Sequence, residues 1–361
     1  MRVLIAPLNW GLGHAARCIP IIDNLIHNGI EVIIAADQGP LALLQEYFPS
    51  LPFLDFPSLN IEYSTGSNQL VKMMGYVPKL LEQAKKDHLQ TQAWVKNHGI
   101  THIISDHRYG VWSPSIPSVF ITHQLYFKAP DRWQWTEPLL RWQHFNLIKT
   151  YDEIWIPDTA QSPGLSGSLS HGSPLPVPPI RFIGNVSRFT RLQEEKPLIP
   201  LPDTIAILSG PEPHRSLLEK ELTEKFEHHQ YPLLIIQGKP GNTPATFEST
   251  YVRKVPHLSS PQLLYVCKHT PYLISRPGYT TLLDLASIQR VATWIPTPGQ
   301  TEQEYLGKVL AKNGQGLYFK QGQFNWERWH QNRSLGIPLS CPESHFSATQ
   351  ILENLKPKSY K

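Results

Sequence analysis

The sequence of 361 residues predicts an α/β protein of two doubly wound, Rossmann-like domains. Short apolar, β-branched segments alternate with amphipathic segments along the chain, as strands alternate with helices in parallel sheets. The length suits two domains better than one, and a charged, proline-spaced stretch interrupts the alternation near the middle. Two such domains are expected to face a central cleft at the carboxyl ends of their strands, where ligands bind in these folds.

The first domain is predicted over residues 1–187. A buried strand at 2–7 is followed by a helix at 15–28 that ends at Gly29. Residues 161–179 are rich in Ser, Gly and Pro and predict a long surface loop. Further strands are predicted at 30–36, 100–105, 118–122, 153–157 and 180–184.

The second domain is predicted over residues 203–361, after a linker at 188–202 that contains EEKPLIPLPD. Its last helix is expected to pack back on the first domain. Strands are predicted at 204–208, 231–237, 250–255, 272–275 and 291–296, and helices at 216–228, 280–288, 303–313, 325–332 and 347–355.

Composition excludes several classes of protein. The net charge of +4 comes without a Lys/Arg block, so nucleic-acid binding has little support. Three cysteines far apart, with no C-x-x-C pair, fit reduced thiols in a cytoplasmic protein better than disulfides or zinc ligands. No apolar run reaches the roughly 18 residues of a membrane span, and the N-terminus does not read as a signal peptide. Weak attraction to the inner membrane face stays open.

The opening motif Gly11-Leu12-Gly13-His14-Ala15-Ala16 has two interpretations. As G-x-G-x-x-A it fits a dinucleotide-binding turn, and Asp37 lies 24 residues after Gly13, near where a ribose-binding acid is expected. Against this, Leu8-Asn9-Trp10 separates the predicted strand from Gly11. The second interpretation makes His14 a general base.

Asp106 supports the second interpretation because it ends a predicted strand in ITHIISDHRYG, at an edge that faces the cleft. A carboxylate holds one histidine tautomer and stabilises the imidazolium. With an ordinary pKa near 6.5, His14 can remove a hydroxyl proton at neutral pH. The alternative is a histidine that only caps or packs.

The most specific motif lies at 274–316. A predicted strand ends at Ser275, Gly278 allows close approach, and a helix opens at Tyr279, which together make a phosphate site. Thr280 and Thr281 add hydroxyl donors there, and Asp284 can accept from ribose hydroxyls one turn later. Gln303 and Glu304 open a later helix and suit the hydroxyl pattern of a sugar.

This segment resembles the C-terminal domain of glycosyltransferase family 28, which includes the N-acetylglucosaminyltransferase that forms lipid II and the plant galactolipid synthases. The resemblance implies the two-domain GT-B fold, nucleotide-diphosphate sugar donors and inversion at the anomeric carbon. It also implies ribose contact for Asp284, where the family has Glu, and sugar contact for Gln303-Glu304, where the family has Gln-Gln. The matching positions are Ser275, Arg276, Gly278, Thr281, Asp284, Pro296, Pro298, Gln303 and Glu304.

The resemblance extends more weakly to the first half, where the family's Gly-His loop matches Gly11, Gly13 and His14. Related plant enzymes use a His–Asp pair, which implies catalysis by His14 and Asp106. The first loop of the second half carries two prolines where the family has glycines, so fewer amides can hold phosphate. The remaining donor-side candidates are Ser209, Gly210, Arg215 and Leu258, and the acceptor-side candidates, which could instead cap helices, are His107, Arg108, Tyr109 and His123.

Two other segments have competing interpretations. Glu219 and Glu227 are spaced like the paired acids of retaining enzymes, but a Glu/Lys-rich sequence favours a solvated helix face. The aromatic and basic stretch RWQWTEPLLRWQHF, at 132–145, predicts either core packing or contact with a membrane interface. No D-x-D motif occurs, and neither a metal nor a cofactor is expected.

The expected function is an inverting glycosyltransferase that moves a sugar from a nucleotide diphosphate, with UDP favoured, to a hydroxyl acceptor. A lipid or cell-envelope glycan is one acceptor class. The alternatives are a GT-B epimerase or hydrolase, a silent nucleotide-sugar-binding protein, and an oxidoreductase that uses NAD or flavin.

Overall fold

The structure is a computed structural model that describes residues 1–59, 69–172, 178–239, 250–341 and 346–356, without the side chains of 69–76, 131 and 132. Within these residues the chain is an α/β protein with two sheets in which every strand pair is parallel. The predicted fold class is therefore confirmed.

The first sheet has seven strands in the order β3-β2-β1-β4-β5-β6-β7. The strand order reverses between β1 and β4, and the carboxyl ends of these two strands are called here the first switch point. The strands are β1 (Arg2–Pro7), β2 (Glu31–Ala36), β3 (Phe53–Asp55), β4 (His102–Asp106), β5 (Ser118–Ile121), β6 (Glu153–Ile156) and β7 (Ile180–Phe182).

The helices that accompany this sheet include three that the sequence analysis did not identify, α2 (Gln38–Tyr47), the 30-residue α3 (Gln69–His98) and α4 (Glu137–Ile148). The predicted helix at 15–28 is present as α1 (Leu12–His27). The sheet interior is apolar because helices cover both faces: β1 and β4 contribute Leu4 and Ile103 to a buried cluster with Trp94 of α3.

The surface loop predicted at 161–179 is exposed at residues 161–163 and 172, but the prediction is wrong for residues 165–170, most of which are buried. Asp158 is fully buried and accepts hydrogen bonds from the backbone amides of Leu165 and Ser166, at 3.0 and 2.8 Å. The chain therefore folds back around a buried carboxylate. Ser and Gly residues allow this, because glycine adopts the backbone angles of tight turns and serine adds a hydroxyl hydrogen-bond donor. Residues 173–177 lie outside the described residues.

The second sheet has five strands in the order β10-β9-β8-β11-β12, and its order reverses between β8 and β11. The carboxyl ends of β8 and β11 are called the second switch point. The strands are β8 (Thr204–Ile207), β9 (Leu233–Ile236), β10 (Val252–Val255), β11 (Tyr272–Ser275) and β12 (Thr293–Trp294), and the helices are α5 (His214–His228), α6 (Ser260–His269), α7 (Tyr279–Ser287), α8 (Thr301–Lys312) and α9 (Trp326–Asn332).

The described residues form two compact units, one from Met1–Ile61, Val71–Ser187 and Cys341–Lys361 and the other from Arg188–Ser340. The final helix α10 (Ala348–Asn354) belongs to the first unit, where the Ala348 amide donates to Asn24 Oδ1 of α1 at 3.0 Å. The predicted linker begins with a short 3-10 helix, Arg188–Arg191, that packs against α6 and α7 of the second unit.

Candidate functional site

The first switch point brings His14 and Asp106 together. Pro7 at the end of β1 pairs in register with Asp106 at the end of β4, so the loop after β1 passes beside that carboxylate. His14 lies in the first turn of α1, and its Nδ1 is 2.8 Å from Asp106 Oδ1. The sequence therefore folds so that two residues 92 positions apart meet at the edge where ligands bind in such sheets.

Arg17 is the third member of this group, and the sequence analysis did not identify it. The side chain is fully buried, and its Nε donates to Asp106 Oδ2 at 2.5 Å while Nη2 donates to Asp106 Oδ1. A detectable signal exists in the sequence, since Arg17 is a charged residue within an apolar helical stretch and lies one turn after His14. Buried charges of this kind are normally paired.

The charges in this group determine protonation. Burial opposes ionisation of Asp106, but the charges of Arg17 and His14 outweigh it and hold the pKa of that carboxyl well below its ordinary value. Burial, and then the Arg17 charge, lower the pKa of His14 below 6.5, against the opposing effect of Asp106. His14 is therefore neutral, and Asp106 is ionised, at neutral pH.

Three further histidines lie around this pair. His107 follows β4, and its ring centroid is 5.7 Å from that of His14. His123 follows β5, and its Nδ1 is 2.9 Å from Arg17 Nη1. His144 of α4 is 2.9 Å from the Tyr109 hydroxyl, and burial lowers the pKa of His144 to about 3. Burial followed by neighbouring charges also lowers the pKa of His107, so the His107 and His144 rings add polarity without adding fixed charge.

Of the acceptor-side candidates, Arg108 has a full set of structural contacts. Its Nε donates to Asp87 Oδ2 at 2.8 Å, and its other donors reach the carbonyls of Phe56 and Pro57 at 2.9 and 2.8 Å. The side chain is buried over the Phe56 ring. These contacts join α3 to the loop after β4, so the role of Arg108 is to stabilise the first unit.

Asp37, which supported the dinucleotide interpretation, is also engaged. It is buried, and its two carboxylate oxygens accept from the Ser58 amide at 2.8 Å and from the Ser58 hydroxyl at 3.1 Å. A ribose would have to displace both bonds, so the observed contacts count against the oxidoreductase alternative.

The second switch point has a different character. Gly210, exposed after β8, has a positive φ of 96°, and a Cβ there would lie 3.2 Å from Thr297 Oγ1. Thr297 follows β12, is fully buried, and its hydroxyl has no hydrogen-bond partner among the described residues. Buried hydroxyl groups are normally hydrogen-bonded, so an oxygen atom of a ligand bound at the glycine loop could accept a hydrogen bond from this one.

The second strand of this switch point contributes the start of α7. Gly278 precedes the helix, and an added Cβ there would face Thr281 Oγ1 at 3.9 Å and Gln303 Nε2 at 4.0 Å. Ser275 is buried, and its hydroxyl donates to backbone carbonyls. Tyr279 and Leu258 are buried, whereas Ser209 is exposed and Thr280 and Thr281 are partly exposed.

Both arginines predicted for the donor side are held by protein groups. Arg276 is fully buried and donates to the carbonyls of Ile295, Pro296 and His214 at 2.9–3.0 Å. Burial lowers its pKa to about 10. Arg215 is buried between Glu212 and Glu219, with bonds of 2.8 Å to each. Both arginines therefore stabilise the loops around the second switch point, and the charge of Arg215 is balanced by the two carboxylates.

Glu219 and Glu227 are not on a solvated face, which corrects the expectation from the sequence. Glu219 is mostly buried, lies 3.4 Å from Lys254 Nζ and accepts from Gln237 Nε2 at 3.0 Å, besides its bond to Arg215. Glu227 accepts from the Val252 amide at 3.1 Å. The helix period places both on the side that packs against β9 and β10, where ion pairs and amides satisfy them.

Asp284, Gln303 and Glu304 also have partners within the second unit. Asp284 is buried in α7 and its Oδ2 is 3.2 Å from Arg188 Nε. Gln303 Oε1 accepts from the Thr297 amide at 2.8 Å, and Glu304 Oε1 accepts from the Gly299 amide at 3.0 Å. The two α8 side chains thus fix the loop after β12, and with it the Thr297 hydroxyl.

The aromatic and basic stretch at 132–145 does not pack into the core as a whole. Trp135, Leu139 and Trp142 are 72%, 55% and 62% exposed, respectively. Leu139 and Trp142 are three residues apart and so lie on one face of α4, and Trp135 lies in a short 3-10 helix, Asp131–Thr136, that directly precedes it. The three side chains are called here the tryptophan face. Beside it lies a cavity of about 330 Å³ that Lys128 and Arg141 help to line.

In the described part of the chain, no three His, Cys, Asp or Glu side chains are grouped as metal ligands. None of the helices in the described ranges is long and apolar enough to cross a membrane.

No family model matches the chain, and no curated protein matches its sequence significantly. Solved structures do match. The glycotransferase of kitacinnamycin is 13% identical, with 92% of this chain and 89% of that chain covered and a TM-score of 0.62. Acinetobacter baumannii MurG is 14% identical, with 91% and 88% covered and a TM-score of 0.51. Phytolacca americana UGT2, in complex with UDP-2-fluoro-glucose and pterostilbene, is 14% identical, with 86% and 83% covered and a TM-score of 0.54. These likenesses show that the fold is the GT-B fold of glycosyltransferases, as the sequence motifs predict.

Proposed function

We propose that the protein is an inverting glycosyltransferase that moves a sugar from a UDP-sugar to a hydroxyl acceptor, with His14 as the general base. The observation that carries the proposal is the 2.8 Å contact between His14 Nδ1 and the buried Asp106 carboxylate at the first switch point. The fold, shared with solved glycosyltransferases, supports it.

The proposed chemistry follows from the histidine tautomer. When Nδ1–H donates to Asp106 Oδ1, the lone pair of Nε2 accepts the proton of the acceptor hydroxyl. The hydroxyl oxygen then forms a bond to the anomeric carbon while the bond from that carbon to the diphosphate oxygen breaks. Attack opposite the leaving group inverts the anomeric centre. Asp106 stabilises the imidazolium that forms.

The proposed donor site is the second switch point. The unpaired Thr297 hydroxyl and the backbone at Gly210 supply hydrogen-bond donors to the diphosphate, and the start of α7 places further amides beside them. Ser209 is exposed in the same loop. Because Arg215 and Arg276 are held by protein groups, backbone and hydroxyl donors take the main part in this proposal.

The test measures transfer from radiolabelled UDP-sugars to acceptors in a lipid and glycan extract. We expect UDP release and labelled acceptor to appear together, and His14→Ala to lower both by the same large factor. Free sugar at an undiminished rate without extract would favour a hydrolase, and an epimerised donor would favour an epimerase. Absence of all three products with every donor would contradict the proposal.

We further propose that the acceptor is amphiphilic and that the tryptophan face contacts an anionic lipid surface. Exposed tryptophans on a helix suit the membrane interface. Arg141 and Lys149 lie in the same helical segment, while Glu137 accepts from the Ala129 amide at 3.0 Å. Positive charge therefore accompanies the apolar side chains and complements anionic headgroups.

Co-sedimentation with phosphatidylglycerol vesicles tests this contact. We expect the wild-type protein to bind, and the double variant Trp135→Ser and Trp142→Ser to lose most of that binding. Leu198→Ser is the matched control, because Leu198 is fully exposed but lies in the second unit. Equal binding by the double variant, or equal binding to neutral vesicles, would contradict the proposal. A cytoplasmic location stays a prediction.

A further inference from the structure

Arg17 makes more contacts around the proposed base than catalysis by His14 and Asp106 alone requires. Its guanidinium meets both oxygens of Asp106, and its Nη1 is 2.9 Å from His123 Nδ1. Its Nη2 is also 2.8 Å from His14 Nδ1. One buried cation thus joins a residue from each of three elements: α1, β4 and the segment after β5.

These contacts fix the proton position of His123 and allow the Nδ1–H tautomer of His14. Arginine cannot accept a hydrogen bond, so His123 Nδ1 must be the acceptor and its proton must lie on Nε2. Asp106 is acceptor-only when ionised, so it can take the His14 Nδ1 proton as well as two from Arg17. The Nδ1–H tautomer of His14 satisfies the contact with Asp106, and Arg17 Nη2, which is also 2.8 Å from His14 Nδ1, then donates to Asp106 Oδ1 instead.

The same cation disfavours a second positive charge beside it. The groups that face His14 are Arg17 on α1, Asp106 at the end of β4, His107 directly after it, and His123 after β5. Cys18 lies 3.7 Å from Asp106 Oδ2, and burial, with the Asp106 charge, raises the pKa of that thiol, so it stays neutral. Arg17 is therefore the one fixed positive charge among these groups, and it offsets Asp106.

We propose that Arg17 is a positioning residue for the transfer reaction: its guanidinium holds Asp106 and His123 in place beside His14 and keeps the His14 imidazole neutral and able to accept a proton. The inference rests on the proposed role of His14 as the base. Its consequence is that the base stays available in mildly acidic solution, while the imidazolium formed during transfer gains less from Asp106 than in a dyad without the arginine.

The test is a pH titration of ¹⁵N-histidine-labelled full-length protein by NMR, in which the nitrogen shifts report both tautomer and pKa. His14→Ala assigns the His14 signals by their loss. In Arg17→Gln we expect the pKa of His14 to rise by about one unit, because the like charge that opposes its protonation is removed while the burial remains. The acid limb of the transfer rate should move to higher pH by the same amount.

Arg17→Lys keeps the positive charge but cannot donate to both oxygens of Asp106 as the planar guanidinium does. It is the second test variant, used if Arg17→Gln does not fold. We expect it to leave the acid limb at low pH and to lower kcat, with the KM for the donor unchanged. Arg108→Lys is the matched control, since Arg108 is equally buried and is forked on Asp87 without contact to His14. It should leave the His14 titration in place.

An unchanged His14 titration in folded Arg17→Gln, or a wild-type kcat in Arg17→Lys, would overturn the role of Arg17. A wild-type protein that transfers no sugar would count against the proposed function, whatever the titration shows. The NMR titration therefore tests the role of Arg17, and the activity of the wild-type protein tests the proposed function, independently of each other.

Discussion

The two switch points have the same topology and opposite chemistry. The first is filled with buried ionisable side chains that satisfy one another, as His14, Arg17 and Asp106 do. The second has a glycine loop and the unpaired hydroxyl of Thr297, and its nearby arginines are directed into protein contacts. Under the proposed function, the paired side chains of the first serve proton transfer, while the backbone and hydroxyl donors of the second serve an anionic ligand.

The largest effect is expected at the first switch point. His14→Ala should lower the transfer rate by about 100- to 10,000-fold, because it removes a general base. UDP affinity should stay unchanged, since the proposed donor site lies in the other unit. Steady-state kinetics and calorimetric titration with UDP measure the two quantities.

His27→Ala is the control for that variant, since His27 is exposed at the end of the same helix. A folded His14→Ala protein that transfers sugar at the wild-type rate would show that the contact with Asp106 is structural only.

The next effect concerns stability in the second unit. Asp284→Ala should lower the free energy of unfolding by about 3 kcal/mol or more, because it leaves the mostly buried Arg188 without its carboxylate. Urea denaturation measures this. If the variant keeps wild-type stability but binds UDP weakly, the ribose contact that the family resemblance implies is the correct role.

A smaller effect is expected at the second switch point. Thr297→Val removes the unpaired hydroxyl at nearly constant volume, so UDP affinity should fall about tenfold, the value of one hydrogen bond to a charged group. Thr204→Val is the control, because Thr204 also has a buried hydroxyl without a partner among the described residues, but within β8. Equal UDP affinities in the two variants would remove Thr297 from the donor site.

The smallest effect is in the pH profile of the wild-type protein. Neutral His14 is the active form, and burial and Arg17 place its pKa below 6.5. Transfer should therefore rise with pH through that lower value and change by less than about twofold between pH 6.5 and 8. A steep rise above pH 7 in the initial rate would mean that another group acts as base.

Much of the fold could be predicted from the sequence because buried parallel strands are short, apolar and bounded by turn residues. The strand at Tyr272–Ser275 agrees with the prediction at both ends. The helix α3 was not identified, because its sequence mixes polar and apolar residues without a clear apolar face. Local pattern cannot show that Trp94 reaches a buried cluster from such a helix.

The candidate site likewise has parts that could be predicted from the sequence and parts that could not. That His14 and Asp106 could meet follows from strand ends, since parallel strands share one carboxyl edge. The partners of Asp284, Arg215 and Glu219 could not be predicted, because each depends on a contact set by packing. Arg17 was missed because its role depends on the carboxylate 89 positions away.

The central claim, that the second switch point binds a UDP-sugar and the first switch point holds the base, is tested most directly by thermal unfolding with matched concentrations of UDP, ADP and NAD. A ligand at a hundredfold excess over its Kd stabilises the folded state by about 2.7 kcal/mol. We predict a clear rise in Tm with UDP, kept in His14→Ala and reduced in Thr297→Val, and little change with NAD. A rise with NAD and none with UDP would contradict the account.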